Sequence, residues 1–133
     1  MGEINWLAVV VAAVAFFAVG AVWYTALFGK AWQKATGLSD EQLKAGRPMA
    51  LIFGLAFLFE LLICTMMGHM FARLSPTPPV IMMLSAGMGA TIMTPALGIN
   101  YLFLRKSGKL FAIDAGHLIV GMSVVGLVFI ALG

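Results

Sequence analysis

The side chains able to do chemistry stand singly inside long apolar runs. Glu60 lies between Phe59 and Leu61, Asp114 and His117 sit three residues apart between Leu110 and Leu132, and His69 and Asn100 are similarly isolated. A carboxylate in such surroundings has to be neutral, paired or in contact with water, and each condition is a way of holding a proton or a cation. The plainer reading is an acid that donates a hydrogen bond between helices. Asp114 and His117 share a helix face and can bond directly, as a proton relay or as packing hydrogen bonds.

The elements that carry these groups follow from composition. Of 133 residues, 62% are hydrophobic and 10% charged, more apolar than a soluble surface can be. Four runs, about 4–28, 48–72, 80–104 and 110–132, reach the roughly 20 residues that cross a hydrocarbon core as helix. The expected fold is all-α and membrane-embedded, a single domain over 1–133 with four transmembrane helices in a bundle. Glu3 followed by so long a run reads as a retained span and not as a cleaved leader.

Lys30, Lys34, Lys44 and Arg47 lie between the first two runs, and Arg105, Lys106 and Lys109 between the last two; Arg73 alone flanks the opposite side. The positive-inside rule then makes those two loops cytoplasmic and puts both termini outside, in a multi-pass protein of the inner (cytoplasmic) membrane. In the first loop, Ser39 and Gln42 form a capping box and Leu38 and Leu43 a hydrophobic staple, predicting a short helix over 40–45 that ends at Gly46. It is expected to lie along the interface, with Trp32 as an anchor and Pro48 in the first turn of the next span. The stiff Ser75-Pro76-Thr77-Pro78-Pro79 turn predicts that spans two and three are antiparallel neighbours.

On this frame Glu60 is roughly 18 Å from the cytoplasmic end of its span, near the bilayer midplane, and His117 is about 6 Å shallower. Asn100 and Tyr24 fall in the same cytoplasmic third. The candidate intramembrane polar site is therefore Glu60, Asp114, His117, Asn100 and Tyr24. His69 is about 180° from Glu60 on an ideal helix and belongs elsewhere, near the outer interface. Cys64 and the methionines of spans two and three are soft donors that could suit Cu(I), but Cys64 and Met67 lie on a different face from Met66 and Met70. Flexible apolar packing explains the methionines better, so no metal is expected.

Ala86, Ala90, Thr94 and Gly98 form a ridge of small residues at four-residue spacing, and Gly121 continues the His117 face. Such ridges let helix backbones approach closely. Pro95 in mid-span removes a backbone donor and predicts a kink, with Thr94 available to the freed groups. Spans one and three end alike, with Trp23-Tyr24 before Phe28 and Lys30, and Asn100-Tyr101 before Phe103 and Arg105. Interfacial aromatic belts explain this more simply than duplication.

The segments Asn5 to Val9, Gly20 to Tyr24, Phe28 to Trp32, Ala96 to Phe103, and Lys109 to Phe111 with Ile113 resemble the family designated domain of unknown function 1761. That resemblance implies a small, mostly bacterial membrane architecture and no particular chemistry. Where the family pattern has an aromatic residue directly before a histidine in the fourth span, this chain has Gly116 before His117.

No nucleophile–base motif, phosphate loop or metal spacing is present, so an enzyme is not expected, nor a cofactor, although His69 or His117 could ligate haem. Nucleic acid is not an expected partner. Two functions remain: an accessory helix-packing protein that forms homo-oligomers or docks on a larger membrane complex, or a small-solute or proton-coupled transporter or channel with Glu60 as its working acid.

Overall fold

The computed structural model describes residues 2–133, which form helices and connecting turns without a strand. Helix α1 (Trp6–Val22) starts at Asn5, whose side-chain oxygen accepts from the Ala8 N–H at 3.0 Å. It runs on through a π-helical turn, Trp23–Leu27. Helix α2 (Gly29–Thr36) closes at Gly37, a left-handed position (φ 74°) that glycine adopts without a Cβ penalty. Helix α3 (Asp40–Ala45) carries the expected capping box: the Gln42 N–H donates to Ser39 Oγ at 3.1 Å and the Ser39 N–H donates to Gln42 Oε1 at 2.8 Å. Helix α4 (Met49–Leu74) follows Pro48. The third span comprises α5 (Pro78–Met88), a second π-helical turn (Gly89–Met93) and α6 (Thr94–Phe103). Helix α7 (Gly108–Leu132) is capped by Ser107, whose Oγ accepts from the Leu110 N–H at 3.1 Å.

Among the described residues, four helical stretches are long and apolar enough to cross a membrane: Trp6–Leu27, Met49–Leu74, Pro78–Phe103 and Gly108–Leu132. The chain is thus an all-α, multi-pass membrane protein.

Helix α7 is the axis of the packing. It contacts α1 on one side and α5, the second π turn and α6 on the other, while α4 packs along α1. The spatial order is α4, α1, α7, third span. Spans two and three, expected to be neighbours, do not pack along each other despite the short turn between them. Close-approach surfaces override the connection. A Cβ on Gly68 of α4 would lie 2.7 Å from Val9 of α1, where Ala8, Ala12 and Ala13 are also buried. A Cβ on Gly89 of the third span would lie 3.0 Å from the Leu118 carbonyl oxygen of α7.

The small-residue ridge is also corrected. Ser85 and Gly89 are the buried positions, whereas Ala90 is exposed and Ala86 half-buried. The π turn adds a residue to the helical repeat, so the face toward α7 runs Ser85, Gly89, Thr94, Gly98 with one five-residue step. Across that step Thr94 Oγ1 donates to the Gly89 carbonyl at 2.7 Å. The turn lies directly before Pro95, whose ring would clash with the Thr91 carbonyl in a regular helix. The irregularity expected at Pro95 thus takes the form of a π turn. Gly121 does sit at a close contact, where a Cβ would lie 2.5 Å from the Phe16 ring.

Candidate functional site

The polar centre is Asp114, one and a half turns into α7 and 8% exposed. The Tyr24 hydroxyl donates to its Oδ1 at 2.5 Å, and the Tyr101 hydroxyl donates to its Oδ2. Tyr24 comes from the π turn ending the first span and Tyr101 from α6, so one carboxylate joins three spans. Beside it, the Trp23 indole N–H donates to the Ile113 carbonyl at 2.9 Å. The Trp23 ring lies over Gly116, where a Cβ would come within 2.7 Å of it. Consecutive residues of the π turn therefore both reach α7.

His117 is held by rings and not by the acid. Its imidazole lies 5.5 Å from the Phe16 ring and 5.1 Å from the Tyr24 ring, and its buried Nε2 has no hydrogen-bond partner among the described residues. A Cβ on Gly20 would come within 3.0 Å of that nitrogen. Tyr24 also meets Trp32 edge-on at 5.9 Å, Trp23 meets Phe28 at 4.7 Å, and Tyr101 meets Phe111 at 6.5 Å.

Of the five expected site residues, Asp114, His117 and Tyr24 come together. Asp114 and His117 share a face without a direct hydrogen bond between them; the carboxylate oxygens accept from the two tyrosines instead. Asn100 is exposed; Tyr101, the next residue, points at Asp114 instead. Glu60 is half-buried on α4, a helix that packs along α1 and meets α7 where Phe71 touches Phe129, and its buried Oε2 has no hydrogen-bond partner among the described residues. The sequence reading missed Tyr101 and Trp23. Their signal was the repeated pair ending both odd spans, Trp23-Tyr24 and Asn100-Tyr101, which an interfacial belt explained too readily.

Among the described residues, no three His, Cys, Asp or Glu side chains are grouped to hold a metal. Cys64 and Met67 are buried while Met66 is exposed, so the soft donors face different ways. Two cavities open at the ends of the molecule. One of about 430 Å³ lies beside Glu3, His69 and Arg73, and one of about 380 Å³ beside Lys30, Lys34 and Ser39. Asp114 lines neither. Each of its oxygens accepts from a phenol of another span, an arrangement that ties helices together and can also hold a proton among four oxygens.

A family model described as "Protein of unknown function (DUF1761)" matches residues 7–130. The chain belongs to the DUF1761 family. No curated protein and no solved structure matches it. The DUF1761 match spans Tyr24, Tyr101, Asp114 and His117 as well as Glu60, whereas Glu3 falls outside it. The DUF1761 description names no activity.

Proposed function

We propose that this protein is a non-catalytic helix-packing protein of the inner membrane that assembles into homo-oligomers or onto a larger membrane complex. One observation carries the reading: among the described residues α4 has a single extended helix neighbour, α1, yet carries a carboxylate in mid-span whose Oε2 is sequestered without a hydrogen-bond partner. An ionised carboxylate at that depth is costly, by at least about 2.5 kcal/mol on insertion scales, unless it is paired, reached by water or enclosed by further protein. The Asp114 clasp supports the same reading, because its polar groups are engaged in bonds between helices. The test is subunit counting by single-molecule photobleaching in lipid nanodiscs. More than one copy per assembly is expected, or a stable partner recovered from native membranes; a strictly single copy without a partner refutes the reading.

The same Glu60 observation favours a second reading, in which the partnerless acid carries protons or couples a small solute. That reading predicts flux in proteoliposomes that Glu60→Gln abolishes, and unchanged flux would refute it. For either function the basic loops are cytoplasmic and the termini outside, on the bias of Lys and Arg. A cysteine at Lys106 should then react only with reagent on the cytoplasmic side, and one at Glu3 only from outside.

A further inference from the structure

The 430 Å³ cavity lies where the first and second spans meet the membrane surface, and its chemistry is unlike the rest of the molecule. Glu3 supplies a carboxylate, Arg73 a guanidinium and His69 an imidazole, with Trp6 on the rim. The backbone that carries these groups is held in place. His69 and Arg73 are one turn apart and so share a face of α4. The segment bearing Glu3 is tethered twice: the Gly2 N–H donates to the Ala72 carbonyl at 3.1 Å, and the Asn5 side-chain amide donates to the Leu132 carbonyl at 3.0 Å. Asn5 thus caps α1 and fastens it to the end of α7.

We propose that this cavity binds the zwitterionic headgroup of phosphatidylethanolamine. Arg73 offers the planar donor fork that suits a phosphate, and His69 can add an N–H to the same oxygens. Glu3 is the acceptor for the primary ammonium. A carboxylate and a guanidinium lining one cavity favour a ligand carrying both signs, since an anionic headgroup without the amine adds its phosphate near Glu3 with no cation to offset it. A choline headgroup has no N–H to donate to that carboxylate. Trp6, 56% exposed at the first turn of α1, sits at headgroup depth, where indoles concentrate. The volume is within the range of sites that enclose small ligands.

The experiment uses the full chain in phosphatidylcholine nanodiscs doped with equal small fractions of phosphatidylethanolamine and phosphatidylglycerol, with retained lipid identified by native mass spectrometry. Retention of the ethanolamine lipid over the glycerol lipid by about tenfold is expected, the ratio that 1.4 kcal/mol gives. Glu3→Gln should bring the two lipids to near parity, Arg73→Gln should lose both, and Lys30→Gln at the opposite cavity should change nothing. Equal retention by the unmodified protein, or a preference that survives Glu3→Gln, overturns the proposal. Soluble glycerophosphoethanolamine is the competing arm: failure to displace the lipid supports a membrane ligand, and displacement at equal concentration overturns it in favour of a free phosphate ester.

Discussion

A hydrogen bond to a charged group is worth about 1.5–3 kcal/mol in soluble proteins, whereas interhelical bonds in membranes average about 0.6 kcal/mol. Asp114 lies between these cases because its two donors come from different spans. Tyr24→Phe and Tyr101→Phe are each expected to cost about 1–2 kcal/mol, and the double variant more than their sum, since it leaves a buried carboxylate without donors. Thermal unfolding of the four proteins in one detergent measures that coupling; simple additivity would mean that the two bonds act independently. Steric contacts offer a second comparison. Gly121→Ala drives a methyl against Phe16, which is 1% exposed, and should lower stability by about 1–3 kcal/mol. Gly54→Ala meets nothing within 4 Å and should be neutral or mildly stabilising. At this scale the sequence disclosed which residues were polar and deep, but not their partners. Asp114 and Tyr24 were legible as isolated polar groups in apolar runs. Tyr101 was not, because a tyrosine near a span end satisfies the interface rule without needing a carboxylate.

Irregular turns decide which face each odd span presents. In the third span, the π turn before Pro95 moves the contact from Ala86 and Ala90 to Ser85 and Gly89, so a ridge counted at regular spacing names the wrong neighbours. The capping box at Ser39 was legible because it depends on a few adjacent residues, whereas a helical phase accumulates over the whole span. Pro95→Ala makes the difference measurable. In an isolated helix, replacing proline by alanine gains about 3 kcal/mol. Here, the restored N–H can bond the Thr91 carbonyl and return the turn to regular helix. That rotates Gly89 relative to Gly98, which meets Phe111 where a Cβ would be 3.1 Å away. The expected result is no gain in Tm, or a loss. A stabilisation near the isolated-helix value would mean that the π turn is strain with no role in docking the span on α7.

For the whole molecule, four spans and their order in sequence were readable from hydropathy, but their order in space was not. A three-residue connection limits how far apart two helix ends can be and leaves free how the helices diverge beyond it. Which helices pack is set by where backbones can approach: Gly68 on Val9 fastens α4 to α1, and Gly126 on Ser85 fastens α7 to α5. The outcome leaves the first half of α4 almost wholly exposed, with Phe53 and Phe57 meeting only Phe17 among the aromatic rings. Lipid can cover the apolar residues Leu55, Leu58 and Leu62, which stand about 140–160° round α4 from the Glu60 carboxylate. If a second copy completes this side, cysteines at exposed α4 positions will meet their counterparts. Leu58→Cys and Leu62→Cys, each in a Cys64→Ser background, should therefore form disulfide-linked dimers in membranes under mild oxidation. Leu102→Cys, 80% exposed on the third span, serves as the comparison and should not. Equal crosslinking at all three positions would indicate random collision, and none at α4 would remove this helix as the assembly surface.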